Sequence, residues 1–222
     1  MTSALEAGSS LARSQRGSVL LKLGAAAGPL YIVVGLFQVL AREGFDPRRH
    51  ALSLLSNGEG GWIQISNFVV CGALVVSGAI GCRKAIRSQR AGTWGPVLLG
   101  VFGLGLVASG FFPPDPAQGF PPGSTAPQAL SRNGLLHFVF GGIAFYGLIA
   151  ACFVFARRYF GAGRKGLAWY SIATGTGFFL AFAAIASGSG SPAVMLAFYV
   201  AVAWAWVWLT IALVQVNKVA TP

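Results

Sequence analysis

Five ionisable side chains that are able to bind a ligand or move a proton are grouped in two short segments of this chain. They are Asp46, His50, Glu59, Asp115 and His137. Two histidines and a carboxylate are a sufficient ligand set for zinc or iron. His50, His137 and Asp115 are therefore an alternative metal set, for a metal-assisted hydrolase of lipid-like substrates, although nothing in the chain matches HExxH. The leading hypothesis involves no cofactor and treats these side chains as polar contacts for a ligand.

The first segment, 42–61, is predicted to form a short helix between two apolar stretches. Asp46 is suited to cap its start, and Gly58 is suited to end it in a left-handed conformation. His50 and Ser53 then share a polar face, and a serine beside a histidine is a candidate nucleophile. No strained turn of the kind that exposes a catalytic serine surrounds Ser53. We therefore favour hydrogen bonding between this helix and the second segment.

The second segment, 113–133, is rich in proline and leads into a long apolar run. Three prolines around Asp115 predict a stiff turn that holds one carboxylate at the mouth of a bundle formed by the apolar stretches. Ser131 or Asn133 is suited to cap the helix that follows, and His137 then lies about one turn inside it. An ionisable residue at this depth is a functional candidate by default. We expect His137 to be the central polar contact, oriented by Asp115; the alternative is a structural histidine bonded to Asp115 or to a backbone carbonyl.

Polar side chains also occur inside the apolar stretches, at a similar distance from the two segments. They are Gln38, Gln64, Asn67 and Ser109. A polar group without a partner is strongly disfavoured in hydrocarbon. These side chains are therefore expected to point into a helix bundle, toward each other, a water molecule or a ligand. With His137 they are predicted to line a small cavity that opens outward.

The elements that must position these residues are six apolar stretches of roughly twenty residues, the length that a helix needs to cross a bilayer. Charged residues make up 9% of the chain, against about 25% in soluble domains. The predicted fold class is therefore all-α, a polytopic membrane protein with a six-helix transmembrane bundle. We expect a disordered tail over 1–18, a membrane domain over 19–216 and a second tail over 217–222. The predicted spans are 20–41, 62–82, 94–112, 134–156, 167–187 and 192–215.

The positions of the basic residues predict how the bundle is oriented. Twelve of the 16 lysines and arginines fall near the two termini or in the connectors 83–90 and 157–165. Because cytoplasmic connectors are enriched in Lys and Arg, both termini are expected in the cytoplasm, with the protein in the bacterial plasma membrane. The formal net charge of +11 is spread over span ends rather than over one face. We therefore expect contact with membrane lipids and no nucleic acid partner.

Three functions are compatible with this arrangement. The leading hypothesis is an integral membrane protein that binds, or helps to transport, a small molecule or lipid at an extracytoplasmic pocket beside segment 42–61. The second is the metal-assisted hydrolase named above. The third is an accessory subunit of a membrane complex, because glycine-rich helix faces are able to dock a partner helix closely.

Three motifs in this chain, in the same order, are typical of a known family of membrane proteins. They are FDPRRHALSLLSNGEGGWIQISNFVVCG, GFFPPDP and GLLHFVFGGIAF. Over about 20–215 the chain resembles the DUF998 family, mostly prokaryotic six-span membrane proteins of uncharacterised function. The resemblance implies the six-span architecture. It also places the recurring polar positions of that family at Asp46, Ser53, Asn67, Asp115 and His137.

Overall fold

The helices of this protein follow the apolar stretches of its sequence. The computed structural model describes the backbone of residues 2–220 and the side chains of residue 15 and residues 17–219. Within these residues there are six α-helices, one short 3₁₀-helix and no strand, which confirms the all-α prediction. The α-helices are α1 (Thr2–Ala41), α2 (Gly61–Ile86), α3 (Trp94–Phe111), α4 (Arg132–Gly161), α5 (Lys165–Ala186) and α6 (Pro192–Ala220). The 3₁₀-helix covers Leu52–Ser56.

Each α-helix contains a segment that is long and apolar enough to cross a membrane, so the described residues hold six candidate spans. About twenty helical residues are needed to cross a bilayer core. Large apolar side chains such as Val33, Leu40 and Leu180 are exposed on the outside of the bundle, as expected for helices that face lipid. The prediction of a six-span membrane protein is confirmed. The spans are Gly17–Ala41, Gly61–Ile86, Trp94–Phe111, Arg132–Gly161, Lys165–Ala186 and Pro192–Val219.

The helices at both ends of the chain are longer than the sequence predicts. Helix α1 begins at Thr2, where a disordered tail was expected over 1–18. This stretch contains no proline, and a helix that is already formed by a membrane span extends by one hydrogen bond per residue. Helix α6 continues to Ala220, although a tail was expected from 217. The outermost positions of the two predicted tails, 1 and 221–222, lie outside the described residues.

The six helices pack in chain order around a ring. Each helix contacts the next one, α6 contacts α1, and α2 also contacts α6. Because consecutive spans alternate in direction, the segments 42–60 and 112–131 lie together at one end, which we call the capped end. The connectors 87–93 and 162–164 lie at the other end, which we call the basic end because most of the Lys and Arg residues are near it.

Glycine residues allow neighbouring helices to approach closely. A Cβ atom built on Gly24 of α1 would lie 2.5 Å from the Cα atom of Gly78 of α2. A Cβ atom on Gly72 of α2 would lie 2.6 Å from the carbonyl oxygen of Gly103 of α3. Lipid provides no hydrophobic driving force between helices, so close van der Waals contact of this kind has to hold them together. The glycine-rich spans thus form the tight side of the ring, made of α1, α2 and α3.

A proline in α1 is compensated by a side chain of α6. Helix α1 runs without interruption through Pro29, which has no amide hydrogen to donate to the carbonyl of Ala25, four residues earlier. The hydroxyl of Thr210 donates to that carbonyl oxygen at 3.0 Å. An unpaired carbonyl would be strongly disfavoured in a membrane. Thr210 therefore allows a proline in the middle of a membrane span and links α6 to α1.

Candidate functional site

The capped half of the bundle contains a cavity of about 600 Å³, which we call the central cavity. Helices α2 to α6 surround it, and α1 contributes Tyr31. Sites for small molecules have volumes of roughly 300–1,000 Å³ and are mostly apolar, with a few polar groups that orient the ligand. The central cavity has this size, and its polar groups lie toward the capped end.

Aromatic rings form the floor of the central cavity, near the middle of the membrane. Tyr31 stacks on Trp206 with ring centroids 4.6 Å apart, and Phe102 lies 5.3 Å from the same indole. Closer to the basic end, Phe155 and Trp208 are buried and in contact. His137 and Leu148 are lining residues eleven positions apart on α4, which corresponds to about 16 Å along the helix axis. The cavity is therefore deep, and it is closed toward the basic end.

The side of the cavity formed by α4 and α5 is apolar and partly open. Phe145 packs edge-to-face on Phe178 and on Phe182, at centroid distances of 5.0 and 5.1 Å. A Cβ atom built on Gly142 would meet no atom within 4 Å, and one on Gly141 would meet only the hydroxyl of Ser109, at 3.8 Å. Unlike Gly24 or Gly72, these two glycines do not serve close helix contacts. They leave empty space along the cavity wall.

His137 lies on the wall near the capped end, and the end of α3 determines its orientation. Its Nδ1 atom lies 2.8 Å from the carbonyl oxygen of Phe112 and 3.2 Å from that of Ser109. The residues four positions later are Pro116 and Pro113, which have no amide hydrogen for these carbonyls. Two carbonyl acceptors require that Nδ1 carries the hydrogen. In the neutral ring, Nε2 then keeps its lone pair as a hydrogen-bond acceptor on a residue that lines the cavity.

Asp115 bonds to the N-cap residue of α4 and does not bond to the His137 ring. Its Oδ2 atom accepts a hydrogen bond from the amide of Ser131 at 2.8 Å. The Ser131 hydroxyl in turn accepts one from the amide of Gly134 at 3.0 Å, so Ser131 is the N-cap, one of the two residues predicted. The orienting role expected for Asp115 belongs to the carbonyls of α3. Asp115 nevertheless lines the central cavity, and its carboxylate is part of the polar mouth.

Two arginines stand at the mouth of the central cavity. Arg48 and Arg49 are both exposed and both line it, together with Ser53. The backbone amide of Arg48 donates to Oδ1 of Asp46 at 2.8 Å, which fixes the turn that carries both guanidinium groups. Lined by two cations and the Asp115 carboxylate, the mouth has a formal net positive charge.

His50 joins the two segments of the capped end. The ring is buried; its Nδ1 atom accepts a hydrogen bond from the amide of Asp46 at 2.9 Å, and Nε2 lies 3.1 Å from the carbonyl oxygen of Gln118. Its backbone carbonyl accepts a hydrogen bond from the Tyr199 hydroxyl at 2.8 Å. All polar atoms of the ring are thus used inside the protein. His50 is not among the residues that line the central cavity, and its contacts are the intersegment bonds that the sequence favoured.

The helix predicted over 42–61 is replaced by two shorter pieces. A single turn, closed by the amide of His50 on the carbonyl of Asp46 at 2.9 Å, precedes the 3₁₀-helix. Between them Ala51 is extended, with φ −68° and ψ 148°. The hydrogen bonds of His50 with Gln118 of the second segment and with Tyr199 of α6 stabilise this interrupted conformation over a continuous helix. As a result His50 and Ser53 do not form a shared polar face, because Ser53 lines the cavity and His50 bonds Gln118.

Arg42 and Phe120 hold the capped end together, although no local sequence pattern predicts this role for them. The Arg42 guanidinium donates to the carbonyl oxygens of Leu55 and Asn57, at 3.0 and 2.6 Å. It also lies over the ring of Phe120, 5.4 Å from its centroid. Partial burial lowers the pKa of Arg42 below its ordinary value. Phe120 is fully buried against Leu55 and its neighbours, so the two connecting segments share a small core.

The buried amides of α1 and α2 form a ladder between these helices rather than a cavity wall. Gln38 Nε2 donates to Gln64 Oε1 at 2.8 Å, and Asn67 Nδ2 donates to the carbonyl of Tyr31 at 3.3 Å. Gln38, Gln64 and Asn67 are all buried, but none of them lines the central cavity. Of the polar residues predicted inside the spans, Ser109 and His137 are the ones at its wall.

The alternative metal set is not brought together. In the part of the chain that the structure describes, no three His, Cys, Asp or Glu side chains are close enough to hold a metal ion. His137 and Asp115 line the cavity, whereas the His50 ring is enclosed in the capped end. Glu59 is exposed, and neither it nor Asp46 lines the cavity. The donor arrangement therefore gives the hydrolase hypothesis no support.

Several residues of the central cavity were not predicted from the sequence. Arg48 and Arg49 had a usable signal, because they lie away from the basic end, against the general distribution of charge. No sequence pattern pointed to Tyr31, Phe102 and Trp206 as cavity residues. They come from three different helices, and only packing brings them to one floor.

Comparison with models of known protein families gives a match over most of the chain. A family described as "Protein of unknown function (DUF998)" matches residues 25–215, which include all six spans and both segments of the capped end. No curated protein and no solved structure matches the chain.

Proposed function

The chain belongs to the DUF998 family, whose description names no activity, and we therefore propose a function from the site itself: binding of a single-chain amphipathic molecule with an anionic head group in the central cavity. The observation that carries the proposal is the polarity of this one cavity. Two arginines stand at its mouth, and aromatic rings close its floor. In a membrane protein this is the arrangement that suits a charged head and an apolar tail.

The apolar tail would occupy the deep part of the cavity. Aromatic side chains such as Phe145 and Phe178 form the walls of this part of the cavity, and the stacked rings of Tyr31 and Trp206 form its floor. The volume is that of a drug-sized ligand, which suits one alkyl chain better than a complete two-chain phospholipid. The space along Gly142 gives the chain room beside α4.

The head group would bind where the polar residues lie. Arginine side chains are suited to carboxylates and phosphates because their planar fork donates two parallel hydrogen bonds. Arg48 and Arg49 supply two such forks, while the Asp115 carboxylate is engaged with the amide of Ser131. His137 adds an acceptor at Nε2, which suits a hydroxyl or amide group of the ligand just below its charge.

The capped end is proposed to lie on the extracytoplasmic side of the membrane. The concentration of Lys and Arg at the basic end favours its placement in the cytoplasm. The capped end would then face outside, and the ligand would enter from the outer leaflet or from the extracytoplasmic space. Because the cavity is closed at the level of Trp206 and Trp208, this conformation suits binding; transport would require the floor to open. An accessory role in a membrane complex stays a separate prediction.

The experiment uses two probes that differ only in the phosphate group: lysophosphatidic acid and the monoacylglycerol with the same acyl chain. Binding to the purified full chain in neutral detergent is measured by native mass spectrometry. Gly142→Phe should fill the cavity and abolish binding of both probes. Gly177→Phe is the matched control, since Gly177 also meets no neighbour within 4 Å and is an exposed helical glycine outside the cavity.

A second variant tests whether the two arginines bind the head group. Replacing Arg48 and Arg49 together by Gln should weaken lysophosphatidic acid binding at least about tenfold, because charge-assisted hydrogen bonds contribute about 1.5–3 kcal/mol each. Monoacylglycerol binding should change little. Arg132→Gln removes an exposed charge at the same end, outside the cavity lining, and serves as the control. Equal loss in G142F and G177F, or equal binding of the two probes to the native chain, would refute the proposal.

A further inference from the structure

A second cavity, which we call the basic cleft, lies at the basic end between α4, α5 and the connector that precedes α3. It has a volume of about 470 Å³ and is open to the surroundings. The residues that matter for its chemistry are Arg90, Phe153, Arg157, Phe160, Gly161 and Ile172. It is separated from the central cavity by the packed layer around Phe155 and Trp208, so the two sites are independent.

The position of Arg90 in the basic cleft is fixed by its neighbours. The guanidinium of Arg158 donates to the backbone carbonyl of Arg90 at 2.9 Å and to the side chain of Gln89 at 2.7 Å. These bonds hold the connector against the end of α4. The guanidinium of Arg90 lies directly over Gly161, where a Cβ atom would collide with its Nη1 atom. A glycine at this position leaves room for the Arg90 guanidinium against the end of α4.

The other side of the basic cleft is apolar and faces lipid. Phe153 and Phe160 are 43% and 40% exposed, and Ile172 of α5 lies beside them in the lining. Trp169 packs edge-to-face on Phe160 at 5.6 Å and is largely exposed. Tryptophan at a span end is typical of the level of lipid head groups. The cleft thus extends from head-group level toward the acyl chains.

The charge of the basic cleft is of one sign. Among the side chains that the structure describes, no Asp or Glu lines it, and four of the five acidic residues of the chain, Glu43, Asp46, Glu59 and Asp115, lie near the capped end. Arginines at the edge of the membrane contact lipid phosphates, and a basic pocket between spans provides a fitted site for an anionic head group. Two guanidinium groups beside apolar rings are complementary to a phosphate that carries acyl chains.

We propose that the basic cleft binds the phosphate head group of an anionic phospholipid from the adjacent leaflet, with Arg90 and Arg157 as the phosphate ligands. An acyl chain of the same lipid lies along Phe153 and Ile172. The site differs from the central cavity in its leaflet and in its ligand. It gives the protein a fixed lipid at the basic end, which joins the 87–93 connector to α4 and α5.

The test uses the full chain in nanodiscs that contain phosphatidylcholine with a minor fraction of phosphatidylglycerol. Native mass spectrometry after release from the nanodisc counts the lipids that are retained. We expect retained phosphatidylglycerol to be enriched about tenfold over its share of the nanodisc, because phosphatidylcholine carries a choline cation that offsets its phosphate and is repelled by the two guanidinium groups. The double variant R90Q/R157Q should lose this enrichment. R90K/R157K, which keeps the charge without the planar fork, should give an intermediate value.

The matched control is K84Q/K165Q, which removes two exposed charges from the same end but outside the cleft. It should keep the enrichment. Arg90 and Arg157 are themselves exposed, so R90Q/R157Q should unfold at the temperature of the native chain. If the control lost as much phosphatidylglycerol as R90Q/R157Q, attraction by net charge would explain the result and the proposal would be wrong. Displacement of the lipid by millimolar inorganic phosphate would point to a site for the free anion and would also overturn it.

Discussion

The Nδ1 atom of His137 lies 2.8 Å from the carbonyl oxygen of Phe112, and this contact gives the two ring nitrogens different partners. Nδ1 satisfies the end of α3, whose last carbonyls are followed by prolines without amide hydrogens. Nε2 remains as an acceptor on the wall of the central cavity. The structural role of this residue and the ligand-binding role that we propose for it would therefore belong to different atoms, and substitution can separate them.

Asparagine and alanine at His137 should have different effects. The amide nitrogen of asparagine is able to replace Nδ1 as the donor to Ser109 and Phe112, whereas alanine leaves both carbonyls without it. We expect H137A to lower the free energy of unfolding by about 1–3 kcal/mol and H137N to lower it by less than half of that loss. Both variants should weaken the binding of lysophosphatidic acid, because both lack Nε2. Thermal unfolding in detergent and native mass spectrometry measure the two effects. Native-like binding by a folded H137N would show that Nε2 does not contact the ligand.

Thr210 and Pro29 should be energetically coupled through the carbonyl of Ala25. T210V should destabilise the protein by about 1 kcal/mol, since it leaves that buried carbonyl unpaired. In a P29A background the backbone amide at position 29 is able to restore the helical bond, so the same threonine substitution should then have a clearly smaller effect. Unfolding in a denaturing detergent, measured for the four proteins of the cycle, gives the coupling. Strict additivity would show that Thr210 does not compensate for the proline.

Close packing of α1 on α2 predicts a strong effect for a single methyl group. G24A places a Cβ atom 2.5 Å from the Cα atom of Gly78, where backbone rather than a flexible side chain has to move. Overpacking of this kind destabilises by about 1–3 kcal/mol. G100A is the control, because Gly100 of α3 meets no atom within 4 Å; it should be neutral or slightly stabilising, as alanine favours helix. Comparable melting temperatures of the two variants would contradict the packing described here.

The orientation of the bundle can be tested with single cysteines. Cys71, Cys82 and Cys152 are all buried, so an introduced thiol at an exposed position should react alone in the folded protein. We expect E59C, at the capped end, to react in intact cells with a reagent that does not cross the membrane. R87C, at the basic end, should react only after the cells are opened. The opposite result would place the basic end outside and would reverse the entry side proposed for the ligand.

Local sequence patterns were sufficient to predict structural elements where one residue type has one dominant effect. The absence of charge over twenty residues predicts a span, and Ser131 or Asn133 was expected to cap α4; the cap is Ser131. The helix expected from Asp46 to Gly58 was wrong in extent, because the competing bonds of His50 go to Gln118 and Tyr199. These partners are 68 and 149 positions away along the chain, so no local pattern predicts them.

The sequence by itself determined that this protein crosses a membrane six times, because hydrocarbon tolerates few charges and requires helical backbone. It also determined that both histidines and four of the five acidic residues fall in two stretches of the chain, 43–59 and 115–137. Only the tertiary structure decided how these residues are used. His50 bonds the two segments of the capped end, and His137 lines the central cavity. Tyr31, Phe102 and Trp206 form the floor of that cavity. The sequence does not predict these positions, because the arrangement of a ring of helices depends on contacts between residues that are distant along the chain.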